Sequence, residues 1–434
     1  MLLAFVLGCP DVAFDIAPDA IAFPETGLVD TGGRPDTADS ADSADSADSG
    51  GGADTSDTAD SADPDLADWT ILVFVNGDND LEKWALADVN EMELVGSTDR
   101  VNVVVQLDRS PGIWGGDGDW SGARRYRIEQ DEDIRVIASP VLEDLGDVDS
   151  GDPSTLQDFV RWGITNYPAN HTMFVFWDHG DGWSFGPDEP ETKGVSYDYS
   201  SGNNLSVAGG DVTAVVHDAA TVLGKPLDAV GFDACTMAQW EVAYSVADDA
   251  RFMVASEDYE DVAGWPYDAV LADLTTYPQM DAAELGSSIA LRFHEIPDST
   301  MSVVDLGQLP ALTASLDTLS DAIVASGTAG PLFAAAAPIA QGYDGPNSRQ
   351  HDLLDLLDGF ATYSSDADVL AATAAAQAAA QDAVVVSYYD GNGVKGSAGL
   401  TIWSPSDGSL PPIYSSAPWS AASRWDEAIA AVTP

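Results

Sequence analysis

The chain has 434 residues, 45 % of them hydrophobic, with 16 Lys and Arg against 73 Asp and Glu and a formal net charge of −57. That is enough apolar material for a sizeable core, whether in one large α/β unit or in two domains. A polyanion of this charge repels nucleic acid at long range, which removes that class of partner.

The acid is not confined to one tail. Sixteen acidic residues and one basic residue precede Trp69, leaving 57 acidic and 15 basic residues in the remainder. Such a surface suits salt adaptation or an extracellular setting, and it also draws in cationic substrates or divalent cations. The leader, residues 1–26, opens with Met1-Leu-Leu-Ala-Phe-Val-Leu-Gly-Cys9, too short an apolar run to span a bilayer. It reads as the end of a secretory signal that lacks a basic n-region. Val6-Leu-Gly-Cys9 resembles a bacterial lipobox, which makes Cys9 a candidate for lipidation. Residues 27–68 form an acidic linker in which Ala-Asp-Ser repeats, as in Ala41-Asp-Ser-Ala-Asp-Ser-Ala-Asp-Ser49. Regular like charge with little apolar bulk cannot offset ordering entropy, so this stretch is expected to be a disordered, self-repelling spacer.

The folded part is expected to run from residue 69 to residue 434. Trp69–Val75 is a continuous β-branched and aromatic run and predicts a buried strand. The polar turn Asn76-Gly-Asp-Asn-Asp80 follows, and then Leu81, Ala85, Leu86, Val89, Met92 and Leu94 recur at helical spacing. Val101–Leu107 predicts a second strand, and Tyr126–Ile137 a small hairpin or edge strands. The alternation continues with helices near 155–162, 210–223 and 237–247 and strands at 173–177, 227–232 and 251–255. This pattern predicts an α/β fold with a mainly parallel sheet flanked by helices. Beyond Pro278 a helical extension is expected, with helices at 280–293, 309–325, 331–341 and 367–382. Late strands at 383–388 and 399–403 are expected to extend the same sheet.

Two strand ends carry the chemistry. Met173-Phe-Val-Phe-Trp-Asp-His-Gly180 ends in a histidine and a glycine, and Leu227-Asp-Ala-Val-Gly-Phe-Asp-Ala-Cys235 ends in the second of the chain's two cysteines. A cysteine nucleophile needs an imidazole partner, and ligand crevices of open α/β sheets lie at the carboxyl ends of strands. His179 and Cys235 are therefore the candidate catalytic pair. A helix starting directly after Cys235 would favour the thiolate. Backbone N–H groups of Gly180 and Cys235 are candidates for holding an oxyanion.

The other ionisable groups read more plainly. His171, His217, His294 and His351 show no partnering pattern and are expected to be surface or packed residues. No zinc, phosphate-loop or serine-elbow motif is present, so no metal ligand is assigned and no cofactor is required. Asp78, Asp80 and Glu82 could face a hard cation but are expected instead to cap the following helix. Trp183 and Trp265 read as packing residues near the cleft.

Taken together, Asn76–Glu82, Asp88-Val-Asn-Glu-Met92, Asp178-His-Gly-Asp-Gly-Trp183, Gly231-Phe-Asp-Ala-Cys235, Ala255-Ser-Glu-Asp-Tyr259, Gly264-Trp-Pro-Tyr267 and Gly399-Leu-Thr-Ile-Trp403 resemble the clostripain-like cysteine peptidases. The resemblance implies a caspase-like sandwich and endopeptidase activity after Arg or Lys through a His179–Cys235 dyad. It implies that Asp233 lines the pocket for the basic side chain, with Glu260 and Asp261 as further acidic candidates, since the position directly before Gly264 is Ala263. It also implies self-cleavage between the two strands, where Lys193 is the only basic residue of the loop from Ser184 to Ser206. Some members use calcium, which leaves that cation open here without an assigned site. The implied partners are proteins or peptides bearing basic residues, with membrane contact only through a lipid anchor in a secreted or cell-envelope setting. The competing reading is a non-enzymatic acidic surface lipoprotein that binds calcium or a cell-surface partner on a degenerate peptidase scaffold.

Overall fold

A computed structural model describes residues 63–183, 194–343 and 348–432. The first strand, β1 (Ala67–Gly77), is buried on both faces. Its alternate residues Ile71, Val73 and Val75 enter one core while Leu72 and Phe74 enter the other. This explains why the run reads as continuous apolar sequence rather than as an alternating pattern. Helix α1 (Glu82–Val95) leads to β2 (Val101–Arg109), which pairs parallel to β1.

Next come the edge strands β3 (Ala123–Arg127) and β4 (Val141–Gly146), each antiparallel to its neighbour. The expected hairpin at 126–137 is thus displaced. Arg124 and Arg125 are strand residues because their guanidiniums reach Asp144 and Glu143 across the ladder. Charged side chains of this kind are common on edge strands.

Helix α2 (Pro153–Asn166) returns the chain to β5 (Ala169–Trp177), on the other side of β1. A short ladder of β6 (Gly194–Val195) and β7 (Leu205–Ser206) precedes α3 (Asp211–Leu223). Strand β8 (Leu227–Asp233), helix α4 (Trp240–Val246) and strand β9 (Ala250–Ala255) follow. Helices α5 (Tyr267–Thr276) and α6 (Ala282–Phe293) lead into β10 (Thr300–Asp305). Then α7 (Leu309–Ser326), α8 (Ala329–Ala336), β11 (Gln350–Asp352), α9 (Leu353–Tyr363), α10 (Ala367–Ala383), β12 (Val384–Tyr389) and β13 (Thr401–Trp403) complete the main elements.

The sheet has nine strands in the order β12-β10-β9-β8-β5-β1-β2-β3-β4. Its centre, from β9 to β2, is parallel, and both edges are antiparallel. Helices α1, α5 and α6 cover one face, and α2, α3, α4, α7, α9 and α10 contribute to the core on the other. The α/β expectation holds, and the strand at 384–389 does extend the sheet.

Four expectations need correction. The strand at 401–403 pairs with β11 in a separate ladder and not with the main sheet. Its residues Ile402 and Trp403 are buried in the helical layer, so an apolar run there marks burial and not sheet membership. Helix α4 begins at Trp240, and between it and Cys235 lies a turn in which Thr236 has φ 59°. No helix N-terminus therefore sits at the sulfur. The helical stretch expected at 331–341 starts at Ala329 and, beyond Ala336, tightens into a 3-10 turn that ends at Ile339. Helices α5 and α9 and strand β10 fill segments to which sequence periodicity assigned nothing.

The β5–β8 ladder carries a stacked pair, Phe176 on Phe232, with ring centroids 5.0 Å apart and planes 5° from parallel. Phe232→Ala should lower the unfolding free energy by about 3–5 kcal/mol, the usual cost of deleting a buried aromatic ring. Urea denaturation followed by tryptophan fluorescence measures it; a loss below ~1 kcal/mol would show that this stack does not hold the ladder.

Candidate active site

The parallel ladder of β5 and β8 ends with Trp177 opposite Asp233, and the Asp178 amide donates to the Asp233 carbonyl at 3.2 Å. Two residues beyond that pair on each strand stand His179 and Cys235. Both line one cavity, together with Leu81, Trp177, Asp233 and Glu260. The pair expected from sequence is therefore brought together, at the carboxyl ends of the adjacent parallel strands β5 and β8. Gly180 explains how close the two strand ends come: a Cβ there would lie 2.5 Å from the Cys235 carbonyl oxygen.

His179 is buried, and its Nε2 lies 2.9 Å from Asp80 Oδ1. The buried Nδ1 has no hydrogen-bond partner. Burial alone would lower the imidazole pKa, but the bond to Asp80 and the charges of Asp178, Asp80 and Asp181 outweigh it and raise the pKa above the ordinary value. Asp80 is held down at about 2, first by its bond to His179. Asp80 is thus the orienting carboxylate, and sequence analysis did not assign it that role. Its signal was the acidic turn after β1, where Asp80 was expected to be a helix cap. No side chain caps α1; Asn79 Oδ1 instead accepts from the Leu81 amide at 2.8 Å.

Asp178 precedes His179 and is fully enclosed. It accepts from Asn76 Nδ2 at 3.1 Å, from Asn79 Nδ2 at 2.6 Å and from the Tyr197 amide. Burial pushes its pKa up to about 7 despite those donors. Tyr197 also packs edge-on against the imidazole and donates through its hydroxyl to Asp181 at 2.6 Å. The turn after β1 and the segment after β6 therefore brace the histidine from both sides.

Cys235 is 4 % exposed. The Glu260 amide points at its sulfur with N···S 3.3 Å. An amide in that position favours negative charge on sulfur, the job that sequence analysis gave to a helix N-terminus.

Beneath the sulfur the cavity becomes acidic. Asp233 accepts from the Trp265 amide at 3.2 Å and from the Tyr267 hydroxyl at 2.8 Å. Burial raises its pKa to about 6. Glu260 buries both carboxylate oxygens without a hydrogen-bond donor, and burial together with Asp233 pushes it well above the usual range. Asp88 is equally enclosed, bonds to Trp177 Nε1 at 2.6 Å, and is raised by burial and by Asp233. Glu91 follows, raised to about 8 by burial and by its acidic neighbours. Asp261 lines the cavity rim and is exposed. Gly264 has φ +63°, and a Cβ there would lie 2.6 Å from Asp88 Oδ2 and 3.2 Å from Asp233 Oδ2. Glycine at this position lets the carboxylates converge.

The remaining candidates fall elsewhere. Trp183 and Trp265 are packed in the two cores, as expected. His171 lies within β5, stacked on Trp69 and bonded to Asp228 at 3.1 Å. His217 is exposed on α3 beside Asp249, and His294 stacks on Tyr388. His351 is buried in β11, with Nδ1 2.7 Å from Ser404 Oγ. Glu82 pairs with Arg109 at 2.8 Å. Asp78 gathers with Asp108 and Asp198 in a buried triad with metal-ligand spacing. Lys193, Cys9 and the 27–62 part of the linker lie outside the described residues.

The Clostripain family model matches residues 73–431. Clostripain of Hathewaya histolytica is 26 % identical over 217 residues, an alignment that covers 46 % of this chain and 41 % of that protein. The chain thus matches less than half the length of that curated relative. Among solved structures, a secreted cysteine protease of Bacteroides thetaiotaomicron in complex with an irreversible peptide inhibitor superposes with TM-score 0.61 at 21 % identity, covering 83 % of this chain and 100 % of the other. An inactive zymogen protease of Parabacteroides distasonis gives TM-score 0.62 at 22 % identity, with 83 % and 99 % covered. These last two likenesses concern the fold.

Replacing Asp80 by Asn should lower the pKa of His179, because the bond and charge that raise it are weakened. An NMR titration of the imidazoles, only five in the chain, reads this directly. The wild-type His179 midpoint should lie above ~6.5, and the Asp80→Asn midpoint below the wild-type value. Since the folded pKa is the raised one, the stability tied to this proton is present below ~6.5 and lost as pH climbs through the folded value. An unchanged midpoint would remove Asp80 from the site.

Proposed function

Because the chain belongs to the clostripain family of cysteine peptidases, we propose that it is an endopeptidase that cleaves after Arg or Lys through the dyad of His179 and Cys235. The observation that carries this reading is the shared cavity. An imidazole and a sulfur stand at adjoining strand ends, over a floor formed by Asp233 and Glu260.

In the proposed reaction, the Cys235 thiol attacks the scissile carbonyl and its proton passes to His179. The oxyanion is held by backbone N–H groups of Gly180 and Cys235. The C–N bond breaks as His179 returns that proton to the departing amine, leaving a thioester. Water, deprotonated by His179, then releases the acid and regenerates the thiol. Asp80 keeps the imidazole oriented on Nε2, which leaves Nδ1 for the proton traffic. No cofactor enters at the reacting atoms.

The basic preference is proposed from electrostatics. Buried carboxylates without a basic partner are costly, and an incoming guanidinium or ammonium offsets that cost. Glu260 supplies the second acid that position 263 lacks. The exposed Asp261 would act only at the rim, where solvent screens it.

We propose further that the chain cuts itself after Lys193. The carboxyl side of that bond is anchored at the site: Gly194 pairs with Ser206, and Val195 bridges to Gly180, next to His179. A secreted or envelope location with Cys9 lipidated and residues 27–68 as spacer completes the reading. Metabolic labelling with a fatty acid tests the anchor, and a gel of wild type against Lys193→Ala tests the cut.

Cys235→Ala and His179→Ala should each abolish turnover while the fold is kept. A basic peptide chloromethyl ketone should alkylate Cys235 far faster than its neutral analogue; equal rates would favour the non-enzymatic surface protein.

A peptide-library profile, with and without chelator, should show cuts after Lys and Arg. Asp233→Asn should reduce kcat/KM on those peptides by about 30-fold or more, as expected when one partner of a buried charge pair is removed. In wild type, the ratio of kcat/KM on basic peptides to that on neutral ones should fall as pH drops through about 6, where Asp233 takes up a proton. A flat ratio from pH 5 to 7 would place the basic side chain elsewhere.

A further inference from the structure

We propose that Glu257 is a positioning residue for Cys235, acting through residues 256–260 and paired for that purpose with the carboxyl of Asp352. The inference rests on the reading of Cys235 as the nucleophile, and its first test is made on the sulfur without any substrate.

The turn that carries Cys235 is held from outside. Thr236 is a β-branched residue at φ 59°, a conformation that persists only where neighbours impose it. Those neighbours are residues 256–260, directly after β9. The Thr236 amide donates to the Asp258 carbonyl at 3.0 Å, and the Ala238 amide to the Ser256 carbonyl at 2.8 Å. The Glu260 amide reaches the Cys235 sulfur. The placement of this segment therefore fixes both the backbone of the nucleophile and the donor on its sulfur.

Glu257 sits at the centre of the segment and is 2 % exposed. Its Oε2 accepts from the Gly399 amide at 2.8 Å. Asp352, at the end of β11 and fully buried, accepts from the neighbouring Ala398 amide at 2.7 Å. Two successive amides thus draw two acids from distant parts of the chain together, and each carboxyl is the other's hydrogen-bond partner. Gly399 permits the approach at φ +106°, where a Cβ would lie 2.9 Å from Ser302 Cβ.

Among the described residues no base bonds to either carboxyl. His351 turns to Ser404, and Arg349 to Asp407. The other ionisable groups around the pair are Tyr343, whose hydroxyl is 2.8 Å from Ser397 Oγ, and the acids Asp355 and Asp258. Two carboxyls in contact without a cation cannot both ionise, so the pair shares one proton. That proton rests on Glu257. Both Asp352 oxygens already accept amides, Oδ1 from Asp355 at 2.7 Å and Oδ2 from Ala398, whereas Glu257 Oε1 has no donor. Burial and the Asp352 charge push Glu257 the same way, well above the usual carboxylate range. The neutral acid then donates through Oε1 to Asp352 and accepts through Oε2 from Gly399. It ties the segment at the sulfur to β11 and to the residues that lead into β13.

The experiment measures the pH dependence of Cys235 alkylation by iodoacetamide in the full chain, read by mass spectrometry of the peptide that carries Cys235. Wild type is compared with Glu257→Gln and Glu257→Met, each checked for folding by circular dichroism. Glu257→Gln mimics the neutral acid, since the amide donates and accepts in the same places and never ionises. Glu257→Met keeps apolar bulk and removes both bonds. Glu257→Gln should follow the wild-type alkylation profile. Glu257→Met should alkylate about 3–10-fold more slowly at pH 7, the scale of one hydrogen bond to a charged atom. On a basic peptide its kcat should fall by a similar factor while KM stays unchanged.

A folded Glu257→Met protein with the wild-type profile would overturn the proposal, because the segment would then place the sulfur without this pair. So would a Glu257→Gln protein that alkylates more slowly than wild type, which would show that an ionised carboxylate is required; this result decides even if Glu257→Met does not fold. A wild type that shows the expected alkylation contrast but cuts no peptide would overturn the peptidase reading while supporting the positioning role.

Discussion

The register of β5 against β8 is the constraint on which the site depends. In a parallel ladder the side-chain period is two, so a slip of one residue would turn a strand's side chains to the opposite face. Trp177 opposite Asp233 brings the residue two beyond each of them to the same edge. Slip is opposed by packing: Phe174, Phe176 and Phe232 fill one core, and Met173, Val175 and Ala229 fill the other. A strand buried on both faces has no polar side to exchange. Alignment of the imidazole and the sulfur is thus enforced by apolar burial well away from the chemistry.

The same cavity accumulates charge that the fold does not neutralise. Asp233 in its wall and Asp88 beside Asp233 are buried, Glu260 and Glu91 are half-buried, and all are shifted upward, first by burial. Several arginines elsewhere are paired: Arg109 with Glu82, Arg125 with Glu143 and Asp158, Arg292 with Asp273. Basic side chains are therefore spent on structural pairs while the cavity keeps acids without them. Aromatic and amide donors, Trp177, Trp265 and Tyr267, lower the cost without supplying charge. That arrangement leaves the strongest remaining stabilisation to a cation arriving from outside, and the peptidase reading identifies it with the substrate's basic side chain.

Much of the fold was legible because the central strands are long and apolar and the helices between them are periodic. Both residues of the proposed dyad could be read because a strand end is where such groups are useful. Contacts made far along the chain were less legible. Residues 399–403 look like a sheet strand, yet their partner is the short strand at 350–352, which carries no apolar signal. The amide on the sulfur belongs to Glu260, 25 residues downstream of Cys235. Nothing local to Cys235 announces it. Helix α4 was expected too early because Met237 and Ala238 continue an apolar pattern, although Thr236 turns the backbone through positive φ.

The acidic turn after β1 shows why spacing alone could not resolve function. Asp78, Asp80 and Glu82 alternate as if they shared one face, and a cap or a single cation site would use them together. The chain changes from strand to helix within those few residues, so successive side chains leave in different directions. Asp78 turns to Asp108 and Asp198, Asp80 to His179, and Glu82 to Arg109 and the Trp114 amide. One short segment thereby links three environments: an enclosed acidic cluster, the imidazole of His179, and a buried ion pair. Displacing the turn to relieve repulsion at Asp78 would strain the bond at Asp80, since both belong to one tightly turned backbone. Charge balance at the first position therefore governs geometry at the second, and the orientation of His179 is coupled to whatever neutralises Asp78.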